Sequence, residues 1–213
     1  MAASQRSRLE PRKRPVQQRS AVTVDALFEA SIQVLLAVGY RKLTTTRVAE
    51  RAGVSVGTLY QYFPNRQALM VAVIERYLNE ISMSVEQSCA ALHGCKLETM
   101  ATGLVDGFIA AKWKRLDVSR AMQEPLADVD GARLIRIAAA RGAKSVAALL
   151  ASCRNAAFEE VQPLSLFVVT ACSSLLQAAM SDHAQSIKRD DLRRQMRAMI
   201  LGYLKEARSL KRV

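Results

Sequence analysis

Residues Thr44 to Phe63 read TTTRVAERAGVSVGTLYQYF, and this stretch leaves little room for anything but two short helices joined by a tight turn. Thr44 or Thr45 is a good N-cap, because its hydroxyl accepts a bond from a backbone N–H that a helix start leaves unpaired. Val48, Ala49 and Ala52 then fall on one face at helical spacing. Gly53 stands where the helix ends and the chain needs φ > 0. Val54 fits the angle between the helices, and Ser55 is a second N-cap. In the second helix Leu59 and Phe63, four apart, point together toward a core. The remaining face carries Val56, Gly57, Thr58, Tyr60, Gln61 and Tyr62, which are short, polar or aromatic. This is the layout of a helix-turn-helix whose second helix suits the major groove of DNA.

The flanking sequence builds a helical protein around this motif. A first helix is expected over 22–38, capped by Thr23 or Ser20, with Val24, Leu27, Phe28, Ile32, Leu35 and Leu36 as its apolar stripe. Gly39 stops it, and Tyr40 to Leu43 form a connector with Leu43 buried. Pro64 and Asn65 break the recognition helix, and Asn65 caps a long helix from Arg66 to about Ser88. Further helices are expected at about 97–115, at 118–122 (ended before Pro125), from Asp128 or Asp130 to about Ser152, at 164–181, and from Asp190 to about Ala207. The fold class is all-α, with a basic arm at 1–20, a DNA-binding head at 21–66 and a larger helical body at 67–213. A three-helix head of this size is small for independent stability and should lean on the helices C-terminal to it. The 164–181 helix is long and apolar, but Thr170, Ser173, Ser174 and Gln177 argue for a buried core helix over a membrane span.

Charge points the same way as the motif. The net charge is +12, with a pI near 10.0, which suits a polyanionic partner. Residues 1–66 hold 11 Lys and Arg against 4 Asp and Glu, so the front third is the most basic part for its length. Residues 1–20 have almost no apolar content and are expected to be disordered in the free protein. Arg12, Lys13, Arg14 and Arg19 make this arm a candidate for following the DNA backbone or entering the minor groove. No apolar segment follows the basic start, so no secretory leader is expected, and the location is read as cytoplasmic.

The run AERAGVSVGTLYQYFPNRQAL resembles the DNA-binding signature of the tetracycline-repressor (TetR) family of bacterial regulators, over roughly residues 22 to 80. The resemblance implies a repressor whose body binds a small-molecule effector among the bridging helix and the three helices after it. It also implies a homodimer through the last two helices, presenting two heads to a palindromic operator. For contacts with double-stranded DNA, Thr45, Thr58, Tyr60, Tyr62 and Arg66 are candidates for phosphate oxygens. Family members commonly carry a phosphate-binding lysine where this chain has Arg66. Thr46, Arg47, Val56, Gly57 and Gln61 are candidates for the groove: Arg47 can fork onto guanine and Gln61 onto adenine. Ser55, at the start of the recognition helix, completes the set. Leu104, Phe108, Trp113 and Met122 are the candidate pocket lining. The alternative is a DNA-binding protein of the same fold without a small-molecule ligand, controlled by a protein partner or acting architecturally.

Enzymatic chemistry finds no support: the sequence has no nucleophile elbow, P-loop or dinucleotide fingerprint, and no cofactor is expected. Cys89, His93 and Cys95 lie close in sequence, but they are incomplete for structural zinc, which takes four ligands. His183 lies far from them. The four cysteines are expected to be free thiols.

Overall fold

The computed structural model describes residues 18–180 and 188–208, with Gln18 and Arg19 by backbone alone. Its elements are all helical: α1 (Gln18–Val38), a 3₁₀ turn (Tyr40–Lys42), α2 (Thr45–Ala52), α3 (Val56–Tyr62), α4 (Arg66–Ala91), α5 (Leu97–Trp113), α6 (Leu116–Ala121), α7 (Gln123–Asp128), α8 (Gly131–Ala151), α9 (Val161–Met180) and α10 (Arg189–Glu206).

Several bounds differ from expectation. α1 begins at Gln18, so Ser20 and Thr23 lie inside the helix instead of capping it. The last three residues of the expected disordered arm are therefore helical. The rest of the arm, with Arg12, Lys13 and Arg14, lies outside the described residues, as do the Arg19 side chain and His183. Leu36 is 41 % exposed, and Val34 is buried in its place. The expected stop before Pro125 is instead the first turn of α7. The proline costs nothing there, because the N–H it lacks would have had no partner within the helix. Pro163 enters the first turn of α9 in the same way.

The chain divides into two compact units. One takes the residues up to Tyr77 together with Arg120–Leu134; the other takes Leu78–Ser119 and the residues from Ile135 onward. In the first, Leu27, Val48, Ala49, Leu59 and Phe63 are buried with Ala68, Leu69, Met70 and Ile74 of α4. The Phe63 ring lies 5.9 Å from that of Phe28, and the Arg76 guanidinium covers Phe28 at 5.1 Å while pairing with Asp25. Asn65 caps α4 as expected, its Oδ1 accepting from Ala68 N at 2.8 Å.

The second unit is built on one continuous apolar cluster from α4, α5, α8, α9 and α10, including Leu104, Phe108, Val146, Val168, Cys172 and Ile200. α10 runs antiparallel to α5: Asp106 receives Arg197 Nε at 3.2 Å and faces Arg193 Nε at 3.5 Å, and Lys205 meets Glu98 at 3.8 Å. Arg141 of α8 forks onto Glu86 of α4 at 2.5 and 2.9 Å. Asn155 closes the start of α5, its Oδ1 accepting from Leu97 N at 2.8 Å. Over Ser20–Val38 and Val161–Met180, α1 and α9 are long and apolar enough to cross a membrane by length and composition alone. Each carries a serine in its buried face, Ser31 and Ser165, whose hydroxyl donates to a carbonyl one turn back.

Candidate nucleic-acid interface

The helix-turn-helix is fixed by local chemistry at each joint. The Thr44 hydroxyl accepts from Arg47 N at 3.3 Å and starts α2. Gly53 ends it at φ 69°, ψ 29°. Gly53 N donates to Glu50 O at 3.1 Å and Val54 N to Ala49 O at 3.0 Å, a paired closure that satisfies two terminal carbonyls. Ser55 then caps α3, its Oγ accepting from Thr58 N at 3.0 Å and lying 2.8 Å from the Thr58 hydroxyl. Leu59 and Phe63 anchor α3 in the core, which leaves Gly57, Tyr60 and Gln61, at i, i+3 and i+4, on its exposed side.

Around that side the other candidates fall as follows. Tyr60 is 41 % exposed, and its hydroxyl lies 3.2 Å from Thr45 Oγ1, so two candidate phosphate hydroxyls are tied together across α2 and α3. Thr46 and Arg47 are exposed on the first turn of α2, where Arg47 Nη1 donates to Lys42 O at 2.9 Å. Val56, Thr58 and Tyr62 are half-buried, and the Tyr62 ring packs 6.5 Å from that of Phe63. The exposed residues of α2 and α3 therefore form one polar surface carrying hydroxyls, a guanidinium, an amide and a bare glycine. Such a surface can donate to phosphates and to base edges.

Arg66 is placed differently from the rest. Its guanidinium lies 4.5 Å above the Tyr40 ring, donates to Tyr40 O at 3.2 Å and faces Asp128 Oδ2 at 3.6 Å. The Tyr40 hydroxyl donates to the same Asp128 oxygen at 2.5 Å. Burial, with that hydrogen bond, pushes the Tyr40 phenol well above its usual range. One turn earlier on α7, Glu124 accepts from Arg41 Nε at 3.1 Å. Sequence reasoning missed Tyr40, Arg41, Glu124 and Asp128, because no local spacing pairs residues 83 and 88 positions apart.

The candidate pocket residues separate. Leu104 and Phe108 belong to the core of the second unit and Trp113 packs against it, whereas Met122 is fully buried in the first. Burial pushes the thiols of Cys89 and Cys172 up, to about 11 and about 12. Among the described residues, no three His, Cys, Asp or Glu side chains are grouped to hold a metal ion.

A capped helix-turn-helix with a polar outer face, in a chain that also carries a larger helical unit, defines a DNA-binding protein of the regulator class. Comparison with known proteins gives the family. The model described as "Bacterial regulatory proteins, tetR family" matches residues 27–73, and "Tetracyclin repressor-like, C-terminal domain" matches 96–204, about half of the chain. The chain belongs to the TetR family of helix-turn-helix transcriptional regulators. It is similar to the transcriptional repressor KstR of Mycobacterium tuberculosis, 34 % identical over 65 residues, or 30 % of each chain. The chain spans about a third of the length of the curated relatives it matches. A putative TetR-family regulator from Mesorhizobium loti shares the fold at a TM-score of 0.70 and 18 % identity, covering 89 % of this chain and 98 % of that one. FadR from Bacillus subtilis, solved with stearoyl-CoA, shares it at 0.64 and 12 %, covering 84 % and 98 %.

Proposed function

We propose that the protein is a homodimeric repressor that occludes a palindromic operator and leaves it when a small-molecule effector binds the helical body. The observation that carries the DNA reading is the exposed side of α3, where Gly57, Tyr60 and Gln61 stand out beside the Tyr60–Thr45 hydroxyl pair. In the complex, Thr45, Thr58, Tyr60, Tyr62 and Arg66 meet phosphates. Thr46, Arg47, Val56, Gly57 and Gln61 enter the groove, and the cations of residues 1–20 follow the backbone.

The dimer reading is supported by an apolar face that one chain leaves uncovered. Leu166, Phe167 and Met199, on α9 and α10, are 48 %, 50 % and 40 % exposed, and the Phe167 ring lies 4.3 Å from that of Tyr203. Two heads related by a two-fold axis read half-sites whose centres lie about 34–36 Å apart, or a multiple of that. The effector reading is supported by the resemblance to a regulator solved with a bound acyl-CoA. An effector acts only through unequal affinity for the DNA-competent and released states.

Selection of bound sequences from random duplex DNA, at near-physiological salt, tests the first part. A two-fold symmetric consensus is expected, and Tyr60→Ala with Arg66→Ala should weaken binding to it without dissociating the dimer. Enrichment of nothing beyond general DNA would leave backbone binding alone and overturn the operator. A thermal-shift ligand screen tests the second part, because a ligand that binds only the native state raises its melting temperature.

A further inference from the structure

Glu124 and Asp128 lie four residues apart on α7 and therefore share one face. Both meet cations that flank the helix-turn-helix. Glu124 takes Arg41, three residues before the Thr44 cap, and Asp128 takes Arg66, three residues after Phe63 closes α3. Local rules do not favour this arrangement. Two carboxylates at i and i+4 repel, and Asp128 occupies the last residue of α7, where the helix carbonyls already present negative charge. A short helix that breaks both rules is held there by what it faces.

What it faces includes Arg66, the candidate contact for a DNA phosphate. A carboxylate at 3.6 Å from the Arg66 guanidinium cancels much of the attraction a phosphate would feel. The side chains of Glu124 and Asp128 are 50 % and 43 % exposed, so their own charge also opposes an approaching backbone. We propose that the acidic face of α7 is an intramolecular stand-in for DNA phosphate. In the free protein Glu124 and Asp128 occupy Arg41 and Arg66; on binding, each arginine exchanges its carboxylate for a phosphate oxygen. The two carboxylates thus lower the affinity of the head for DNA. This rests on the reading of Arg66 as a phosphate contact.

The test is a pair of double-mutant cycles on the full chain. Binding is measured by fluorescence anisotropy against a selected duplex, or against random-sequence duplex if selection yields no consensus. Asp128→Asn keeps the acceptor for the Tyr40 hydroxyl and removes the charge. It should tighten binding about two- to fivefold per head, the range expected for a partly exposed ion pair. Most of that gain should be lost in an Arg66→Gln background. Asp130→Asn, which removes the same charge from the neighbouring pair with Arg133, should give a smaller gain that does not depend on Arg66. Weaker binding by Asp128→Asn would mean that Asp128 positions Arg66 for DNA and would overturn the proposal. A gain that persists undiminished without Arg66 would reduce it to general charge and also overturn it. If Arg66→Gln alone has no effect, the phosphate assignment itself fails, which is a separate outcome. Should Asp128→Asn not fold, as seen by circular dichroism, the cycle of Glu124→Gln with Arg41→Gln decides. Its side chains are 50 % and 90 % exposed and carry no core.

Discussion

Gly57→Ala separates what the recognition helix needs for folding from what it needs for DNA. A methyl built on Gly57 meets only Ser55 Oγ, at an ordinary 3.7 Å, and nothing else within 4 Å. The free protein has room for it. Glycine inside a helix is less favourable than alanine by about 0.5–1 kcal/mol. At the second residue of α3 the lower end applies, so the variant should be more stable by about 0.5 kcal/mol and melt about 1–2 °C higher. DNA affinity should move the other way. If α3 lies in the groove with Gly57 against the duplex, a methyl in that contact overpacks it and costs about 1–2 kcal/mol per head, roughly five- to thirtyfold. Thermal melts by circular dichroism read the first effect, and anisotropy with a selected duplex reads the second. A variant that melts higher and binds equally well would refute the close approach of this turn to DNA. A lower melting temperature would refute the open surroundings of Gly57.

Leu166→Glu with Phe167→Glu should convert dimer to monomer in light scattering at micromolar concentration while keeping the helical signal, and should abolish operator binding; a persistent dimer would refute the α9–α10 interface. Burial pushes the Lys112 ammonium down to about 8, so the unfolded chain holds this proton between about pH 8 and 10.4 while the folded protein releases it. Its contribution to stability therefore rises with pH through that window. Lys112→Met should stabilise the protein at pH 7 by on the order of 2 kcal/mol and by much less at pH 9.5; parallel melting curves at the two pH values would refute this. At pH 8 iodoacetamide should modify half-buried Cys95 before Cys89 and Cys172, whose thiols are held near 11 and 12, as read by peptide mass spectrometry. Deleting residues 1–17, with five cations and Glu10, should make the dependence of log affinity on log salt shallower, by about 0.9 for each phosphate the arm had neutralised; an unchanged slope would remove the arm from the interface.

The helix-turn-helix is legible in the sequence because every instruction for it is local. Thr44, Ser55 and Asn65 each cap the helix after them by bonding an N–H three residues on, Gly53 reverses the chain between neighbours, and Leu59 and Phe63 reach the core from one helical face. Where local and tertiary demands part, the reading slips. Leu36 matches the apolar stripe of α1 but lies outside it, since the periodicity of a helix marks a face and not where that face ends. Pro125 reads as a stop, although proline is a stop only beyond the first turn. Met122 looks like the other large apolar residues of the body. Its unit is decided by residues 120–134 packing with the head, and hydropathy carries no sign of that.

The same limit applies to charge. A front third with a net charge of +7 suggests a head free to attract phosphate, yet Arg41, Arg47, Arg51 and Arg66, four of its eleven cations, are engaged within the unit. Arg41 meets Glu124, Arg66 meets Asp128 and Arg76 meets Asp25, while Arg47 and Arg51 donate to the Lys42 carbonyl and to Gln33. Two of those carboxylates come from α7, outside the first 66 residues, so counting charge along the sequence assigns them to the body when they act on the head. The field that DNA meets is therefore smaller than the local composition implies. If the proposed exchange holds, affinity at a given salt depends on how readily α7 yields Arg41 and Arg66, and on any contribution of the arm, whose Arg12, Lys13 and Arg14 have no acidic neighbour in sequence closer than Glu10. Substitutions in 120–134 should accordingly alter DNA affinity although no residue there is a candidate for touching DNA.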